Sequence, residues 1–545
     1  MRCPRWLTRA RLIHLRPCAQ RSPNPAPNIK REEKHSDKKL YQQLRTLSCA
    51  TLWEREVALF ERSSNEERLA SVALVRAVGV VFSESGSAAQ KDAAREWLLG
   101  LLRNPAEKIR RYAIAALPKI GVGPREEAEL LSLLRATEIE REKKFVGEAL
   151  DKIGGAATLQ TMEAGVAHLN PQTEQKVKAS VARVESPSAV RMDGVFSDFG
   201  RLRIHLRARQ GLERMVRDEV ENSPRTQNLF RIGYVGSGLV ELIPSDPFTL
   251  ADIYSLRCFA TVGFVLGFVK AATEDDAVEA IASAIASPLS RRVLRAFTEG
   301  SIRYRLSFES KGHQRSAVRL VTNRAYALCP EILNDPRSAP WAVDIHPSKK
   351  GDSVELRPRL SPDPRFFYRE RDVPAASHPP LAACMARLAG NVDGDIVWDP
   401  FCGSGLELIE RTLLGGVRQV YGTDLSSAAI AKIQKNFAAA HGAAVKSRFT
   451  CADFHDFEKM EGLGRESVTL IITNPPMGRR VPVRNLRQLI EDLLSVAARA
   501  LKPGGRLVFP NPIKIESSHK CLRLESRQVV DLGGFECRLE VYTKK

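Results

Sequence analysis

No apolar run in the 545-residue chain approaches the roughly 18 residues that a membrane-crossing helix needs, so no membrane partner is expected. The ten cysteines are scattered, with no CxxC pair and no His/Cys cluster at zinc-ligand spacing. No disulfide framework and no metal are therefore expected, and reduced thiols fit an intracellular protein. Two phosphate-binding fingerprints are missing as well. A dinucleotide site would carry GxGxxG and a P-loop would carry GK[ST], and neither occurs. Acid is absent before Glu32, while Arg2, Arg5, Arg9, Arg11, Arg16 and Arg21 precede SPNPAPN. Residues 1–39 read as a disordered basic tail, because their apolar residues form no clean amphipathic face. An Arg-rich organelle transit peptide is the other reading, which would exchange a cytoplasmic address for a mitochondrial one.

Positive charge, by contrast, is abundant. Lys and Arg number 83 against 64 Asp and Glu, a formal net charge of +19. This favours a polyanionic partner, nucleic acid first. At 43% hydrophobic, the chain has ample material for more than one packed core.

Residues 40–184 are helical in pattern and partly repetitive. RRYAIAALPKIG closes at Gly121 and KKFVGEALDKIG at Gly154, 33 residues later. At that offset Leu98 matches Leu131, Leu101 matches Leu134, Leu117 matches Leu150, and Ile120 matches Ile153. A looser copy, RLASVALVRAVG, closes at Gly79. Units of this length resemble two-helix HEAT-like repeats, which stack because one unit cannot bury its apolar face alone. Such a stack could receive a protein partner. ESPSAVRMDG, 185–194, reads as a linker.

From 195 to 358 strands and helices mix. RLRIHLRA alternates apolar and basic residues, as a half-buried strand with a basic face would. GLERMVRDEV is helical, GLVELIP a strand, LADIYSLRCFATVGFVLG a helix and then a strand, DDAVEAIASAIA helical and RYRLSFES a strand. This order fits an α+β region of ferredoxin-like type. Its basic strands could lie along phosphates, although charged strand faces are commonly just solvated.

From 359 to 545 short apolar strands alternate with helices: DIVWDP, QVYGTDL, SRFTCADF, VTLIITNPP and RLVFPNP, with VVDLGGFECRLEVYT as a closing hairpin. The alternation predicts a doubly wound, Rossmann-like α/β sheet. Ligands in such sheets sit beyond the carboxyl ends of the strands. There DPFCGSG leaves a strand and enters a helix, and Gly403 and Gly405 would let a ligand approach the backbone. Asp424 ends the next strand and could accept from two ribose hydroxyls. Asp453 ends the third and could take an adenine amino group. Each residue taken singly could be a turn or a cap; the ordered set, with NPP on the fourth strand, is much more specific.

DPFCGSG, TDL, ADF and TNPPMG resemble the S-adenosylmethionine motifs of amino-directed methyltransferases. Arg359 to Gly390, RLSPDPRFFYRERDVPAASHPPLAACMARLAG, is similar to the entry segment of THUMP-containing RNA guanine-N2 methyltransferases. Residues 200–350 resemble that group's RNA-binding portion through strand–helix order and phrases such as KGHQRSAVRLVTNRAYALCPEILND. The resemblance implies S-adenosylmethionine as cofactor. It places Asp399, Gly403 and Gly405 at the methionine moiety, Asp424 at the ribose and Asp453 near the adenine. Pro400, Cys402, Leu425, Phe454 and Asn474, from the same motifs, complete the cofactor set. Ser377, His378 and Pro379 would border the methionine end; alternatively Ser377 is a helix N-cap and His378 faces solvent. Asn474, Pro475, Pro476 and Met477 would hold the target amine. That amine is a poor nucleophile because its lone pair is delocalised into the ring. The Asn474 side-chain carbonyl and the Pro475 backbone carbonyl can draw it toward tetrahedral geometry in line with the methyl group, and the prolines aim those carbonyls outward. The family usually sets Tyr or Phe after NPP, to stack on the base; here Met477 stands there.

The implied activity is methylation of guanosine N2 in RNA, with transfer RNA as partner. A ribosomal 23S RNA guanine-N2 enzyme, a DNA adenine-N6 enzyme and a non-catalytic RNA- or protein-binding scaffold are the alternatives. A cytosine-C5 enzyme is excluded because no cysteine lies beside the fourth strand, and Cys402 belongs to the glycine turn.

Overall fold

The structure is a computed structural model that describes residues 29–545 except 122, 165–170, 310–313, 349–350, 371–376, 442–443, 479–481, 514 and 516. The basic stretch therefore lies outside the described residues up to 28, and a helix, Ile29–Leu44, begins within what reads as a tail. Two compact units are present, 1–168 and 169–545.

The first unit is helical. Ala73–Ser85, Glu107–Ile120 and Glu140–Ile153, the helices that carry the repeated phrase, pack side by side, each preceded by a partner helix from Ala88–Leu101 onward. Apolar residues at helical spacing fill the seam: Ile109, Ala113, Ile114, Leu117 and Ile120 are buried in the middle helix. A capping box starts Ala88–Leu101, with Gln90 N–H donating to Ser87 Oγ at 3.3 Å and Ser87 N–H to Gln90 Oε1 at 2.9 Å. Gly79 permits a close helix approach, since a Cβ there would stand 2.8 Å from that of Ala116.

The helical pattern does not tell which neighbour a helix packs on. Pro171–Glu185, which the sequence groups with the repeats, belongs to the second unit, where Ala179 packs on Tyr326 and Leu333 and Tyr326 Oη donates to Glu174 at 2.9 Å. The stretch 185–194 is likewise more than a linker: Ala189–Val190 pairs antiparallel with Thr298–Glu299.

An eight-stranded mixed sheet fills the first part of the second unit. Four of its strands, Ile204–Arg207, Phe230–Gly236, Leu239–Pro244 and Thr261–Val269, lie in the spatial order fourth, first, third, second, the order of a βαββαβ unit. The basic face expected of the first strand is neutralised. Arg207 Nε donates to Glu355 at 3.0 Å, and the same carboxylate accepts from His205 Nδ1 at 2.7 Å. These bonds pull Glu355 down to about 2 against its burial. Alternation reveals which residues share a face, but not the acid that a neighbouring strand brings opposite them.

The second sheet has seven strands: β1 (Asp395–Asp399), β2 (Val417–Asp424), β3 (Lys446–Cys451), β4 (Val468–Ile472), β5 (Leu501–Asn511), β6 (Leu522–Asp531) and β7 (Glu536–Lys544). Their order is 3-2-1-4-5-7-6; β1 to β5 are parallel, while β7 is antiparallel to β5 and β6. The expected doubly wound sheet and closing hairpin are both present. The helices α1 (Pro379–Leu388), α2 (Leu406–Leu413), α3 (Ser427–His441) and α4 (Leu486–Ala500) flank it. Residues 195–358 and 359–545 do not form separate cores. Every residue of α1 from Pro379 to Ala386 is buried, and one apolar cluster runs from Phe264 and Trp341 through Leu381 and Met385 to Val397 and Ile472. A helix apolar all round must be covered on all sides, here by both sheets' surroundings. Ion pairs reinforce the join: Arg257 binds Glu410 of α2 through two bonds of 2.7 Å.

Candidate functional site

The carboxyl ends of β1, β2 and β4 and the turn before α1 converge on one group of polar side chains. Asp399 closes β1 and is fully buried. Its Oδ1 accepts from the Phe401 amide at 3.0 Å and from Thr473 Oγ1 at 2.5 Å. Its Oδ2 is buried with no hydrogen-bond partner among the described residues. Burial, then the neighbouring Glu407 and Asp424 carboxylates, hold this carboxyl well above its usual range. The Glu407 carboxyl, in the first turn of α2, is also raised by burial. Among the described residues, neither acid pairs with a cation.

The other end of β1 differs. Asp395 is equally buried, yet Arg411 reaches it at 2.6 Å and Arg506 at 2.6 and 2.7 Å. A buried carboxylate is stable when so compensated and costly when not. Asp395 is thus built into the fold, whereas Asp399 and Glu407 leave negative charge for something outside the chain to meet.

Ser377 connects this acid pair to the proline corner. Its hydroxyl donates to Glu407 Oε1 and accepts from Asn474 Nδ2 at 2.7 Å. The amide group of Asn474 is thereby turned toward Ser377, and its carbonyl Oδ1 is left buried without a partner among the described residues. Pro475 behind it is buried, and Pro476 and Met477 are half-buried. Met477 Sδ lies 3.8 Å from the Cys537 thiol on β7.

The glycine turn leads from β1 into α2 and is hydrogen-bonded to the end of β2. Gly403 and Gly405 have φ of 50° and 90°, which glycine alone adopts without strain. At Gly405 there is also no space, since a Cβ would sit 2.5 Å from Ile433 Cγ1. The Gly403 amide donates to Asp424 Oδ2 at 3.0 Å and the Ser426 amide to Asp424 Oδ1 at 2.9 Å. Each carboxylate oxygen keeps a further lone pair for a ligand. Leu425 beside it is 75% exposed. Cys402 is buried and packs within the turn, its thiol pushed up by burial, and Pro400 accepts from Thr423 Oγ1 at 3.2 Å.

The structure therefore brings together Ser377, Asp399, Gly403, Gly405, Asp424 and Asn474. Others stand differently from expectation. Strand β3 stops at Cys451, so Asp453 does not end it; it caps the short helix Phe454–Lys459 and accepts from the His455 amide at 3.0 Å and imidazole Nδ1 at 2.5 Å. Phe454 is buried against Phe401, ring centroids 4.8 Å apart. Ser377 does not cap α1: His378 holds that position, exposed, with no side-chain cap bond, and Pro379 follows, buried. Glu407 and Thr473 escape sequence reasoning. The signal for Thr473 was its place directly before NPP; for Glu407, an acid two residues past Gly405 at the start of a helix.

Comparison with known proteins defines the class. Residues 367–530 match the family described as RMKL-like, methyltransferase domain. They are a methyltransferase domain, and the cofactor that goes with such a domain is S-adenosylmethionine. The domain is distantly related to the tRNA (guanine(10)-N2)-dimethyltransferases. That of Methanocaldococcus jannaschii is 33% identical over 164 residues, 29% of this chain and 42% of that protein. That of Methanothermobacter thermautotrophicus is 31% identical over 160 residues, 29% of this chain and 43% of that protein. The chain thus spans less than half the length of either relative. In fold it is similar to TrmN from Thermus thermophilus, with a TM-score of 0.50 and 20% identity over 63% of this chain and 100% of that one. Among the described residues, no helix is long and apolar enough to cross a membrane.

The side chains fit the cofactor. The unpartnered Asp399 Oδ2 beside Glu407 suits the methionine ammonium, the glycine turn admits the methionine backbone, and the free lone pairs of Asp424 suit ribose hydroxyls. Asp424→Ala is expected to weaken cofactor binding by about 1–2 kcal/mol, the scale for losing a hydrogen bond to a half-exposed charge. Calorimetry giving wild-type affinity would remove Asp424 from the ribose.

Proposed function

We propose that this chain transfers a methyl group from S-adenosylmethionine to the exocyclic N2 amine of guanosine in transfer RNA. One observation carries the reading: the buried Asn474 carbonyl oxygen, fixed by Ser377 and without a partner among the described residues, stands at the carboxyl end of β4 next to the acid pair. When bound, the cofactor supplies an electrophilic methyl on a sulfonium. Asp399 and Glu407 meet the cationic methionine end, and Asp424 meets the ribose. The Asn474 and Pro475 carbonyls accept from the target amine and localise its lone pair in line with the methyl group, so catalysis is mainly positioning. The alkylated nitrogen loses its proton readily, so no strong base is required. The base must be unpaired or turned out of its helix to reach the corner.

Guanosine in transfer RNA is preferred to other acceptors because the two curated relatives named above carry that activity in their names. The mixed-sheet region is proposed as a THUMP-like RNA-binding part that reads shape and backbone, and the helical unit as HEAT-like repeats open to a protein partner. The test is to incubate the protein with transfer RNA lacking the modification and with tritiated cofactor, then digest to nucleosides. Label is expected in N2-methylguanosine. Label in N6-methyladenosine would move the enzyme to the adenine class. Tight cofactor binding with no transfer to transfer or ribosomal RNA would make the domain a binding scaffold.

A further inference from the structure

The repeated phrase of the helical unit carries more than core positions. On Glu107–Ile120 a stripe at helical spacing, Lys108, Tyr112, Ala115 and Lys119, stays out of the core. At the same places in Glu140–Ile153, 33 residues on, stand Arg141, Phe145, Glu148 and Lys152. Both stripes thus set a half-buried ring between two cations. Ala73–Ser85, packed against Glu107–Ile120, adds Arg76, whose guanidinium lies 4.5 Å from the centroid of the Tyr41 ring.

Little on this face neutralises the cations. Arg76, Lys119, Arg141 and Lys152 are exposed, and none makes an ion pair among the described residues. Burial, then the like charges of Arg76, Lys152 and Arg45, lower the Lys119 ammonium from the usual lysine range, with only Glu84 opposing them. Glu84 is itself taken by Arg45 at 3.2 Å. A lysine in the last turn suits the negative end of a helix, which accounts for Lys119 and Lys152. It does not account for Arg76 and Arg141, which stand in the first turns of their helices, where the dipole disfavours a cation. Around the intervening helices Ala88–Leu101 and Pro124–Ala136 the cations are paired instead. Arg95 meets Asp92 at 2.5 Å, Arg103 meets Glu129 at 2.7 Å, and Arg125 meets Glu96 at 2.5 and 2.9 Å.

We infer that this face of the helical unit binds the sugar–phosphate backbone of RNA, with Arg76, Lys119, Arg141 and Lys152 on phosphates. The choice of RNA among polyanions rests on the proposed transfer to RNA. Cations repeated from one packed helix to the next stand roughly 8–10 Å apart, the usual distance between helix axes, and so offer a row of contacts to an extended anion. A protein interface would instead want an apolar centre. The large apolar residues exposed among the described part of this unit, Leu59 and Ile139, stand singly and provide none. The proposed function leaves the repeats open to a protein partner; for this face the charges point to RNA.

Phosphate contacts are read by salt, so the test titrates the full chain into a fluorescent, unmodified transfer RNA transcript at several salt concentrations and follows anisotropy. The triple variant Arg76→Gln, Lys119→Gln, Lys152→Gln should reduce the slope of log affinity against log salt by about 2–3, and weaken binding at about 0.1 M salt roughly tenfold. Its KM for transfer RNA should rise by the same factor, with kcat and calorimetric cofactor affinity unchanged. Arg76→Lys, Lys119→Arg, Lys152→Arg keeps the charges and should keep the wild-type slope. The triple Arg95→Gln, Arg103→Gln, Arg125→Gln removes as much charge from the paired side and should also bind as wild type does. Equal losses in the two glutamine triples would show a diffuse positive field, and no loss in the first would show that nothing docks there; either overturns the inference. Poly-glutamate binding lost in the first triple while transfer RNA binding is kept would give the face to an acidic protein and overturn it too. Binding that depends on the face, in a protein that methylates no RNA, would keep the face and remove the proposed reaction. Guanosine methylation indifferent to the first triple would do the reverse.

Discussion

Asn474→Ala is expected to bind S-adenosylmethionine nearly as well as wild type and to transfer methyl groups on the order of a hundredfold more slowly, the scale for one preorganised polar group that acts in the transition state. The split follows from where the two ends of the amide go. Ser377 has one proton, and it is given to Glu407; its oxygen must then accept from the Asn474 amide group, so the carbonyl end is the one left open. Removing that carbonyl takes away the acceptor for the target amine but leaves Asp399, Glu407, the glycine turn and Asp424 as they were. An interaction that strengthens as nitrogen becomes tetrahedral lowers the rate when lost, with little effect on ground-state binding. Single-turnover transfer and calorimetric affinity, measured on the same preparations, decide it. A loss of cofactor affinity as large as the loss of rate would mean that Asn474 holds the cofactor and not the amine.

Much of this site is legible in the sequence because a parallel sheet delivers the end of each strand to the same edge. Asp399, Asp424 and Asn474 end or follow apolar runs, so their convergence follows from the strand pattern. What stays hidden depends on packing between distant segments. The bond from Asn474 to Ser377 joins residues 97 positions apart, and no local spacing announces it. Nor does any spacing tell that Asp395 will meet Arg411 and Arg506 while Asp399 meets no cation among the described residues. The same limit explains the fold corrections. A helix such as Pro171–Glu185 is recognisable by its period, but its attachment to Tyr326 and Leu333 is a tertiary fact. The run Pro379–Ala386 of α1, apolar throughout, is a hint in the sequence that residues 195–358 and 359–545 share a core, since such a run has no face left for solvent.

Asp399→Asn is expected to act in two directions: cofactor binding weaker by about 2–3 kcal/mol, on the order of a hundredfold, and a cofactor-free protein more stable than wild type at neutral pH. The first effect exceeds that of Asp424→Ala because Asp399 is fully buried, where a charge–charge contact is screened less. The second follows from the raised carboxyl. The folded chain holds this proton more tightly than the unfolded chain does. The carboxyl's contribution to stability is therefore full below the unfolded value of about 4 and is lost as pH rises through the folded value. The amide resembles the protonated acid, still accepts from Phe401 and Thr473, and escapes that loss. Thermal melts without cofactor should coincide at low pH and separate as pH rises, with wild type falling behind. A variant that binds cofactor as wild type does, or that melts lower at neutral pH, would show that Asp399 is not waiting for a cation. The matching exchange at the start of the same strand has the opposite sign. Asp395→Asn leaves the buried Arg411 guanidinium and its neighbour Arg506 short of a counter-charge, so it should lower stability while sparing the cofactor site. Two acids on one strand are thus separated by what surrounds them: two guanidiniums at one end, and at the other a second acid, a serine and an unpartnered amide oxygen.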